Sequence, residues 1–167
     1  LLPDAEEEDD DVAKFGWVVD IRGDLAVVGM DHGWSDENQA PNNSAYVFRR
    51  NGTTWLREAR LTPSDPDDDW DGGKYGGAVS VSGDLVVVGA PYDVTGGGIM
   101  SGSIYVYRYD GSDWAFEVKL VASDPDVLDL FGYSVATDGD RVVVGVPQDY
   151  TPNGTGSGSS VAKRKDG

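Results

Sequence analysis

Short apolar stretches alternate with turns rich in glycine and aspartate along the whole chain. In the N-terminal third these stretches predict four consecutive β-strands, at 15–21, 25–30, 44–49 and 54–61. The second stretch is a continuous apolar run, which suggests a strand buried on both faces. Between the third and fourth stretches, Asn51-Gly52 is a strong signal for a two-residue hairpin in which both central residues have positive φ. The pattern therefore predicts an antiparallel meander.

The meander occurs three times in the sequence. Its markers keep one common interval from the first copy to the second, and another common interval from the second to the third. These markers are Phe15-Gly16, Tyr75-Gly76 and Phe131-Gly132; Gly23-Asp24, Gly83-Asp84 and Gly139-Asp140; and Val27-Val28-Gly29, Val87-Val88-Gly89 and Val143-Val144-Gly145. Trp55 recurs as Trp114, and both are expected in the core. A repeating four-stranded antiparallel unit is typical of a β-propeller blade, whose faces are covered by neighbouring blades.

The predicted fold is therefore all-β, with propeller-type blades that are each a four-stranded antiparallel meander, in three repeats of which the last is incomplete. We expect one repeat domain over 1–167, with an acidic lead-in at 1–14 and blades at 15–74, 75–130 and 131–167. The third blade is expected to lack its fourth strand, because the sequence stops in the turn after its third strand. A longer repeat protein, or strand addition by another subunit at this blade, would cover the unpaired edge.

The chain is strongly acidic, with a formal net charge of −17 and a pI of about 4.1. Nucleic acids and anionic membrane surfaces are unfavourable partners, because both are bound by clustered Lys and Arg side chains. No apolar stretch approaches the roughly 20 residues of a membrane span, and no cysteine is present for a disulfide or a thiolate site. The acidity is explained either by a solvated acidic surface or by carboxylates that bind a divalent cation.

The third copy, Phe131-Gly132 followed by Val143-Val144-Gly145-Val146-Pro147, resembles the FG-GAP repeat. The second copy resembles it more closely, since Gly89-Ala90-Pro91 follows Tyr75-Gly76. Such repeats are similar to the blades of integrin α-subunit propellers, so the resemblance implies an extracellular β-propeller used in adhesion, ligand binding or surface assembly, often with calcium. The family's calcium loop lies between the first two strands of a blade. This chain has only Arg22-Gly23-Asp24 there, so that calcium site is not expected.

A different segment is a candidate calcium site. Asp67, Asp69 and Asp71 form an Asp-x-Asp-x-Asp-Gly pattern, and alternate carboxylates followed by glycine can wrap oxygen ligands around Ca²⁺. The acidic residue that a full calcium loop has at its twelfth position is missing, since Ala78 stands there. The alternative is a solvated acidic turn ahead of the blade. The acidic segments ahead of the other two blades lack the pattern: Asp4 to Asp11, and Asp124, Asp126 and Asp129.

Two further sets of residues are candidates for modification or ligand binding. The asparagines of Asn-x-Ser/Thr triplets are candidate glycosylation sites of an exported protein: Asn42, Asn51 and Asn153. Aromatic residues of loops could stack on sugar rings, with local packing as the alternative: Trp34, Trp70 and Tyr92. His32 is the only histidine of the chain, so neither a Ser/His/Asp network nor a multi-histidine metal site is expected.

Together with the resemblance, these features predict an extracellular or cell-surface β-propeller module that is not an enzyme. Its expected role is adhesion, ligand binding or surface assembly, and Ca²⁺ is its candidate cofactor. The expected partners are other protein subunits or surface ligands, glycans among them. Two alternatives stay open. One is a self-assembling subunit of an extracellular filament or ring, formed by strand addition at the third blade. The other is a carbohydrate-binding or carbohydrate-cleaving domain.

Overall fold

The computed structural model describes residues 14–31, 43–65, 72–148 and 158–163. Eleven strands run through these residues, and a short 3₁₀ turn at Gly72–Lys74 precedes the fifth strand. In chain order the strands are β1 (Lys14–Arg22), β2 (Leu25–Asp31), β3 (Ser44–Asn51), β4 (Thr54–Leu61), β5 (Ala78–Ser82), β6 (Leu85–Ala90), β7 (Ser103–Tyr109), β8 (Trp114–Leu120), β9 (Ser134–Asp138), β10 (Arg141–Val146) and β11 (Gly158–Lys163).

The strands form three sheets in which neighbours in sequence pair side by side. The first two sheets have four strands each, in the orders β1-β2-β3-β4 and β5-β6-β7-β8, and β9-β10-β11 form the third. We call them blades 1, 2 and 3. All their strand pairs are antiparallel, which confirms the predicted all-β fold of propeller-type meanders. Among the described residues no helix has the length and apolar character needed to cross a membrane.

The Gly-Asp markers form the hairpins between the first two strands of each blade. Gly23, Gly83 and Gly139 have φ of 60°, 61° and 62°. Each glycine is the first of two central residues, since the flanking residues pair with each other across the turn. Positive φ at this position is what a type II′ turn requires, and glycine adopts it without steric cost. The marker therefore reflects turn geometry.

The hairpin between β3 and β4 differs from its prediction. Asn51 pairs with Thr54, so the two central residues are Gly52 and Thr53. Gly52 has a φ of 63°, whereas Asn51 is not among the residues with positive φ. The prediction of a turn centred on Asn51-Gly52 with two positive φ angles was wrong, because β3 continues through Asn51. One glycine with positive φ is sufficient for this turn.

Two apolar clusters lie between the blades and a third lies on the face of blade 1 that points away from blade 2. The cluster between blades 1 and 2 includes Val27, Val47, Val81, Val88 and Tyr105. The cluster between blades 2 and 3 includes Val87, Ile104, Phe131 and Val144. The third cluster includes Val28, Met30, Tyr46 and Phe48, with Trp55 packed against it. The two junctions thus bury the facing sides of neighbouring blades, whereas the third cluster is buried on a face that no described blade covers.

The apolar run that forms the second strand of a blade was predicted to be buried on both faces. Residues 25–30 of β2 and all of β6 are buried, as the apolar runs predicted. In β10 burial alternates instead, and Arg141 and Val143 are exposed. The apolar run is therefore buried on both faces where a described blade follows it, and on one face in blade 3.

Glycines bring the backbones of neighbouring blades together. The carbonyl oxygen of Gly76 occupies the space that a Cβ atom on Gly29 would need, and the carbonyl oxygen of Gly132 does the same at Gly89. The Phe/Tyr-Gly marker of one blade thus lies against the Val-Val-Gly marker of the preceding blade. We call this arrangement the glycine contact. It explains why glycine stands in both markers, since a side chain at Gly29 or Gly89 would separate the blades.

Candidate functional site

The blades have two different ends. The Gly-Asp hairpins lie at one end, and the first and third strands begin at the other, which we call the loop end. Of the predicted site residues, Asn51 and Tyr92 are described. The others lie outside the described residues: Asp67, Asp69, Asp71, Trp34, Trp70, Asn42 and Asn153. The proposed calcium ligands and most of the predicted ligand aromatics therefore stay predictions.

Asn51 lies at the hairpin end, where β3 finishes. It is exposed, and its carbonyl oxygen accepts a hydrogen bond of 2.9 Å from the Thr54 hydroxyl. Exposure in a short hairpin keeps the side chain accessible to solvent, as a glycosylated asparagine must be. Glycosylation at Asn51 itself stays a prediction.

Tyr92 lies at the loop end, beside a lysine and a tryptophan from other segments. The Lys74 ammonium is 4.7 Å from the centroid of the Tyr92 ring and 5.9 Å from the centroid of the Trp17 ring. Both distances are within the range in which a cation is attracted to an aromatic face. Trp17 comes from blade 1, whereas Lys74 and Tyr92 come from blade 2. We call these three residues the aromatic–lysine group.

Local backbone contacts hold the aromatic–lysine group in place. Gly73 and Lys74 have φ of 66° and 56°, which turns the chain sharply ahead of β5. The carbonyl of Gly73 accepts a hydrogen bond of 2.9 Å from the amide of Tyr92. A Cβ atom on Gly73 would collide with Asp93, so glycine is needed for this close approach. The lysine and the tyrosine are therefore fixed relative to each other.

Trp17 and Lys74 were not predicted as site residues from the sequence. Trp17 is 50% exposed, although it lies in a strand directly after the Phe15-Gly16 marker. The corresponding positions are Gly77 in blade 2 and Tyr133 in blade 3, which is also exposed. One signal in the sequence could have identified Trp17: it is a large aromatic residue at a position that differs among the three copies. Lys74 gave no signal, because its position beside two rings depends on contacts between separate segments.

A buried aspartate organises a second polar group at the loop end. Asp93 accepts hydrogen bonds from Ser103 and from Tyr105, the latter over 3.4 Å, and forms an ion pair of 2.8 Å with Lys119. Lys119 also pairs with Asp65 over 2.8 Å, and Asp65 accepts a hydrogen bond of 2.9 Å from Tyr105. Asp65 follows β4 of blade 1, so this group fastens the connection between the blades to blade 2.

The pKa directions show that Lys119 and Asp65 stay charged at neutral pH. Burial opposes the charge on Lys119, but hydrogen bonds to Asp65 and Asp93 outweigh it and raise the pKa of the ammonium. Burial also opposes ionisation of Asp65, yet hydrogen bonds from Lys119 and Tyr105 lower the pKa of its carboxyl below the usual value. A group that keeps its protons fixed across neutral pH suits a structural ion pair better than proton transfer.

A chain of tyrosines strengthens the same connection. Tyr75 donates a hydrogen bond of 2.7 Å to the Tyr107 hydroxyl, and Tyr107 donates one of 2.7 Å to the carbonyl of Thr62. Burial raises the pKa of Tyr107 to about 12 and raises that of Tyr75 well above its usual value. Both hydroxyls therefore keep their protons, and their hydrogen bonds, at neutral pH.

The described residues contain no group of three or more Asp, Glu, His or Cys side chains arranged to hold a metal ion. Of the acidic residues ahead of blade 3, Asp129 is buried and accepts a hydrogen bond of 2.7 Å from the amide of Asp126 through Oδ2. Its Oδ1 atom is buried without a hydrogen-bond partner among the described residues. A single carboxylate with one unpartnered oxygen is not a metal site by itself.

Comparison with known families now identifies the repeat. Residues 4–48, 55–107 and 114–161 match the family model of the FG-GAP repeat. These segments include most of the chain. The chain belongs to the FG-GAP repeat family. This confirms the resemblance seen in the sequence markers, and a search of curated proteins found no match.

The FG-GAP matches are offset from the blades by one strand. The match at 55–107 starts in β4 of blade 1 and ends in β7 of blade 2, and the match at 114–161 starts in β8 and ends in β11. Each of these two repeats therefore spans a junction between blades. The repeat unit contains the Phe/Tyr-Gly marker together with the strand of the preceding blade that leads into it, so the sequence repeat encodes the junction as well as the sheet.

Proposed function

We propose that this chain is an extracellular, non-catalytic FG-GAP propeller module for adhesion, which binds its ligand through the aromatic–lysine group at the loop end. The observation that carries the proposal is the position of the Lys74 ammonium, 5.9 Å from the Trp17 ring centroid and 4.7 Å from that of Tyr92. Two blades contribute to the group, so its geometry depends on the assembled fold. Trp17 is exposed and Tyr92 is half-buried, and aromatic rings that a rigid scaffold holds at the surface are typical of binding sites.

We propose a glycan as the ligand class. The flat face of an exposed tryptophan can stack on the apolar face of a sugar ring. A lysine ammonium can donate hydrogen bonds to sugar hydroxyls or pair with the carboxylate of an acidic sugar. The chain has a formal net charge of −17, and Lys74 places a positive charge beside the two rings. An acidic glycan would therefore contact Lys74 while the remaining surface repels it, which favours a small contact area.

Three further parts of the proposal have separate support. The non-catalytic role is supported by the Asp65, Asp93 and Lys119 group, whose pKa directions at Asp65 and Lys119 favour fixed charges. The extracellular location is supported by membership of the FG-GAP family, whose repeats typically occur in extracellular proteins. Structural calcium at Asp67, Asp69 and Asp71 is supported by the spacing of these carboxylates.

A second candidate function is assembly of a larger surface structure from copies of this chain. Exposed apolar residues on the outer face of blade 1, Val19 and Ile21 among them, favour it. This candidate does not depend on glycan binding, since Val19 and Ile21 do not belong to the aromatic–lysine group.

A glycan array probed with the full chain tests ligand binding. We expect binding to a subset of glycans, with Trp17→Ala and Tyr92→Ala each weakening it at least about tenfold, the equivalent of 1.4 kcal/mol. Phe116→Ala is the matched control, because Phe116 is an exposed aromatic residue on β8, outside the group. Running the array with Ca²⁺ and with a chelator tests the calcium proposal at the same time. Absence of glycan binding, or equal binding by all variants, would contradict the glycan proposal.

A further inference from the structure

Three exposed aliphatic residues meet at the loop end of the junction between blades 2 and 3. Ile99, Val127 and Leu128 are 63%, 53% and 43% exposed. The amide of Leu128 donates a hydrogen bond of 3.0 Å to the carbonyl of Ile99. Val127 Cγ2 lies 2.9 Å from the place that a Cβ atom on Gly98 would occupy, directly before Ile99. Two separate segments thus contribute to one exposed apolar surface, which we call the aliphatic patch.

Backbone hydrogen bonds fix the two segments of the aliphatic patch to each other. After the bond between Leu128 and Ile99, the amide of Leu130 donates to the carbonyl of Met100 over 3.1 Å. The following residues then lead directly into the strands of blades 2 and 3. A partner that binds a surface on such a support pays little conformational entropy for ordering it.

Leu128 is the residue of the patch that folding explains least. Its φ is 70°, in the left-handed region that glycine and asparagine adopt more readily than leucine. Its side chain is exposed, so burial does not offset this strain. Gly72 stands at the corresponding position ahead of blade 2. A strained, exposed leucine where the repeat also accepts glycine indicates that its side chain contacts something beyond the described residues.

The surroundings of the aliphatic patch are acidic. Asp126 directly precedes Val127, Asp124 lies two residues before Asp126, and both aspartates are exposed. Neither carboxylate belongs to an ion pair within the described part of the chain. The segments 94–102 and 121–133 contain no lysine or arginine. Negative charge therefore borders the apolar surface, and these two segments do not neutralise it.

This charge selects among the possible occupants of the patch. A second copy of this chain has a net charge of −17 and would be repelled. An anionic lipid surface would be repelled for the same reason. The patch contains no aromatic ring on which a sugar could stack. A protein segment with aliphatic side chains beside lysine or arginine matches both the apolar surface and the carboxylates at its border.

We propose that the aliphatic patch is a docking surface for a basic segment of a partner protein. Aliphatic side chains of that segment cover Ile99, Val127 and Leu128, and its lysine or arginine side chains pair with Asp124 and Asp126. The apolar contact supplies affinity, and the charges select the partner and speed its association. The aromatic–lysine group lies at the junction between blades 1 and 2, so this inference does not depend on glycan binding.

An array of short synthetic peptides, incubated with the full chain, tests the proposal. The peptides combine leucine and isoleucine with lysine and arginine in random order, on a background of serine and glycine. Each peptide is matched by one analogue with glutamate in place of the basic residues and by another with serine in place of the aliphatic ones. We expect a subset of the basic aliphatic peptides to bind, and both analogues to bind at least tenfold more weakly by fluorescence anisotropy.

Leu128→Gly distinguishes docking from a structural role. Glycine adopts the left-handed conformation without strain, so the melting temperature should not fall. The same substitution should weaken peptide binding at least tenfold, because it removes a side chain of the patch. Leu56→Ala is the matched control, since Leu56 is an exposed leucine on β4, outside the patch. Asp126→Asn should weaken binding and make it less sensitive to salt.

Four results would each overturn the proposal. The first is that no peptide binds, and the second is that the glutamate or serine analogues bind as tightly as their parents. The third is that Leu128→Gly binds the peptides as well as the Leu56→Ala control does. The fourth is self-association in analytical ultracentrifugation that Leu128→Gly abolishes, since the occupant would then be a second copy. The glycan array remains an independent measurement, because Leu128→Gly leaves the aromatic–lysine group intact.

Discussion

Between blades 1 and 2 the buried cluster contains the aromatic residues Tyr75, Tyr105, Tyr107 and Trp114. Between blades 2 and 3 the buried cluster is aliphatic except for Phe131. Both junctions have the glycine contact, so the same backbone approach accommodates two different sets of side chains. The relative position of the blades is therefore set mainly by the backbone, and the side chains fill the space that remains.

The hydrogen bonds that cross the junctions differ in the same way. Across the first junction, Trp114 Nε1 donates to Glu58 over 2.9 Å, and the Arg49 guanidinium lies 5.0 Å from the centroid of the Tyr109 ring. Tyr107 adds its bond to the connection after β4. These contacts all use side chains. Some of them involve ionised groups, so the strength of those contacts depends on pH.

Backbone groups contribute more of the hydrogen bonds at the second junction, although Ser80 Oγ and Ser82 Oγ also accept bonds from the amides of Thr137 and Gly139. Three consecutive bonds join the segment ahead of β9 to the segment ahead of β7: Leu128 N to Ile99 O at 3.0 Å, Leu130 N to Met100 O at 3.1 Å and Phe131 N to Ser101 O at 3.0 Å. Backbone bonds need no particular side chain. The first junction should therefore be sensitive to side-chain substitution and pH, and the second mainly to changes of backbone geometry.

The largest effect is expected from substitutions that remove the glycine contact, which both junctions share. Gly29→Ala and Gly89→Ala place a Cβ atom where the carbonyl oxygen of the next blade lies, so each blade pair must separate. We expect each to lower the free energy of unfolding by about 3 kcal/mol, measured by urea denaturation. Similar losses at the two sites would confirm that the contact is equivalent at both junctions.

Gly111→Ala is the control for these glycine substitutions. Gly111 has a φ of 103° but no atom within 4 Å of its Cβ position in the described residues. Alanine there should cost about 1 kcal/mol through backbone strain alone. If Gly29→Ala and Gly89→Ala cost no more than this control, the glycine contact does not hold the blades together.

An intermediate effect is expected from the hydrogen bond across the first junction. Glu58 accepts from Trp114 Nε1 and forms two bonds with Arg49, of 2.6 Å and 2.9 Å. Glu58→Gln should lower the free energy of unfolding by about 1.5 kcal/mol, because it removes the charge that both donors face. A double-mutant cycle with Trp114→Phe measures the part that crosses the junction. Additive losses would show that Trp114 and Glu58 are not coupled.

The sequence predicted the sheets well because the markers record local constraints. β4 spans the predicted residues 54–61, since an apolar stretch and a hairpin glycine fix it without distant contacts. The Phe/Tyr-Gly and Val-Val-Gly markers were recognised as repeats, but their common role at the junction was not. In that role, two glycines from different blades lie in contact. A pattern along the sequence does not show which residues of different blades are close in space.

The candidate site was harder to predict than the fold. Tyr92 was expected as a ligand aromatic from its place in a loop, whereas Trp17 was overlooked because it lies inside a strand. Trp17 lies in the irregular part of β1 between Phe15 and Val18, and the corresponding Tyr133 of blade 3 is exposed as well. Lys74 and Lys119 acquire their partners from other segments. The roles of these lysines depend on tertiary contacts. The acidic composition of the chain gave no reason to select them as site residues.

The smallest effect at neutral pH is expected from a substitution of Tyr107. This substitution also tests whether the first junction loses stability at alkaline pH. Burial raises the pKa of Tyr107 to about 12, above the value of about 10 for an exposed tyrosine. The folded state therefore binds more protons than the unfolded state above pH 10. This stabilisation is fully present below pH 10 and is lost as the pH rises towards 12. Tyr107→Phe should cost about 1 kcal/mol at pH 7 through the lost bond to Thr62.

The same substitution should make the decline between pH 10 and 12 shallower, because one group no longer releases a proton on unfolding. Urea denaturation at a series of pH values measures both effects. Tyr133→Phe is the control, because it removes an exposed tyrosine of blade 3 that is not part of either buried cluster. Equal slopes for Tyr107→Phe and the unsubstituted chain would show that Tyr107 does not carry the alkaline sensitivity of the first junction. In that case Tyr75 and Tyr105, whose pKa values burial also raises, would be the remaining sources of that sensitivity at the first junction.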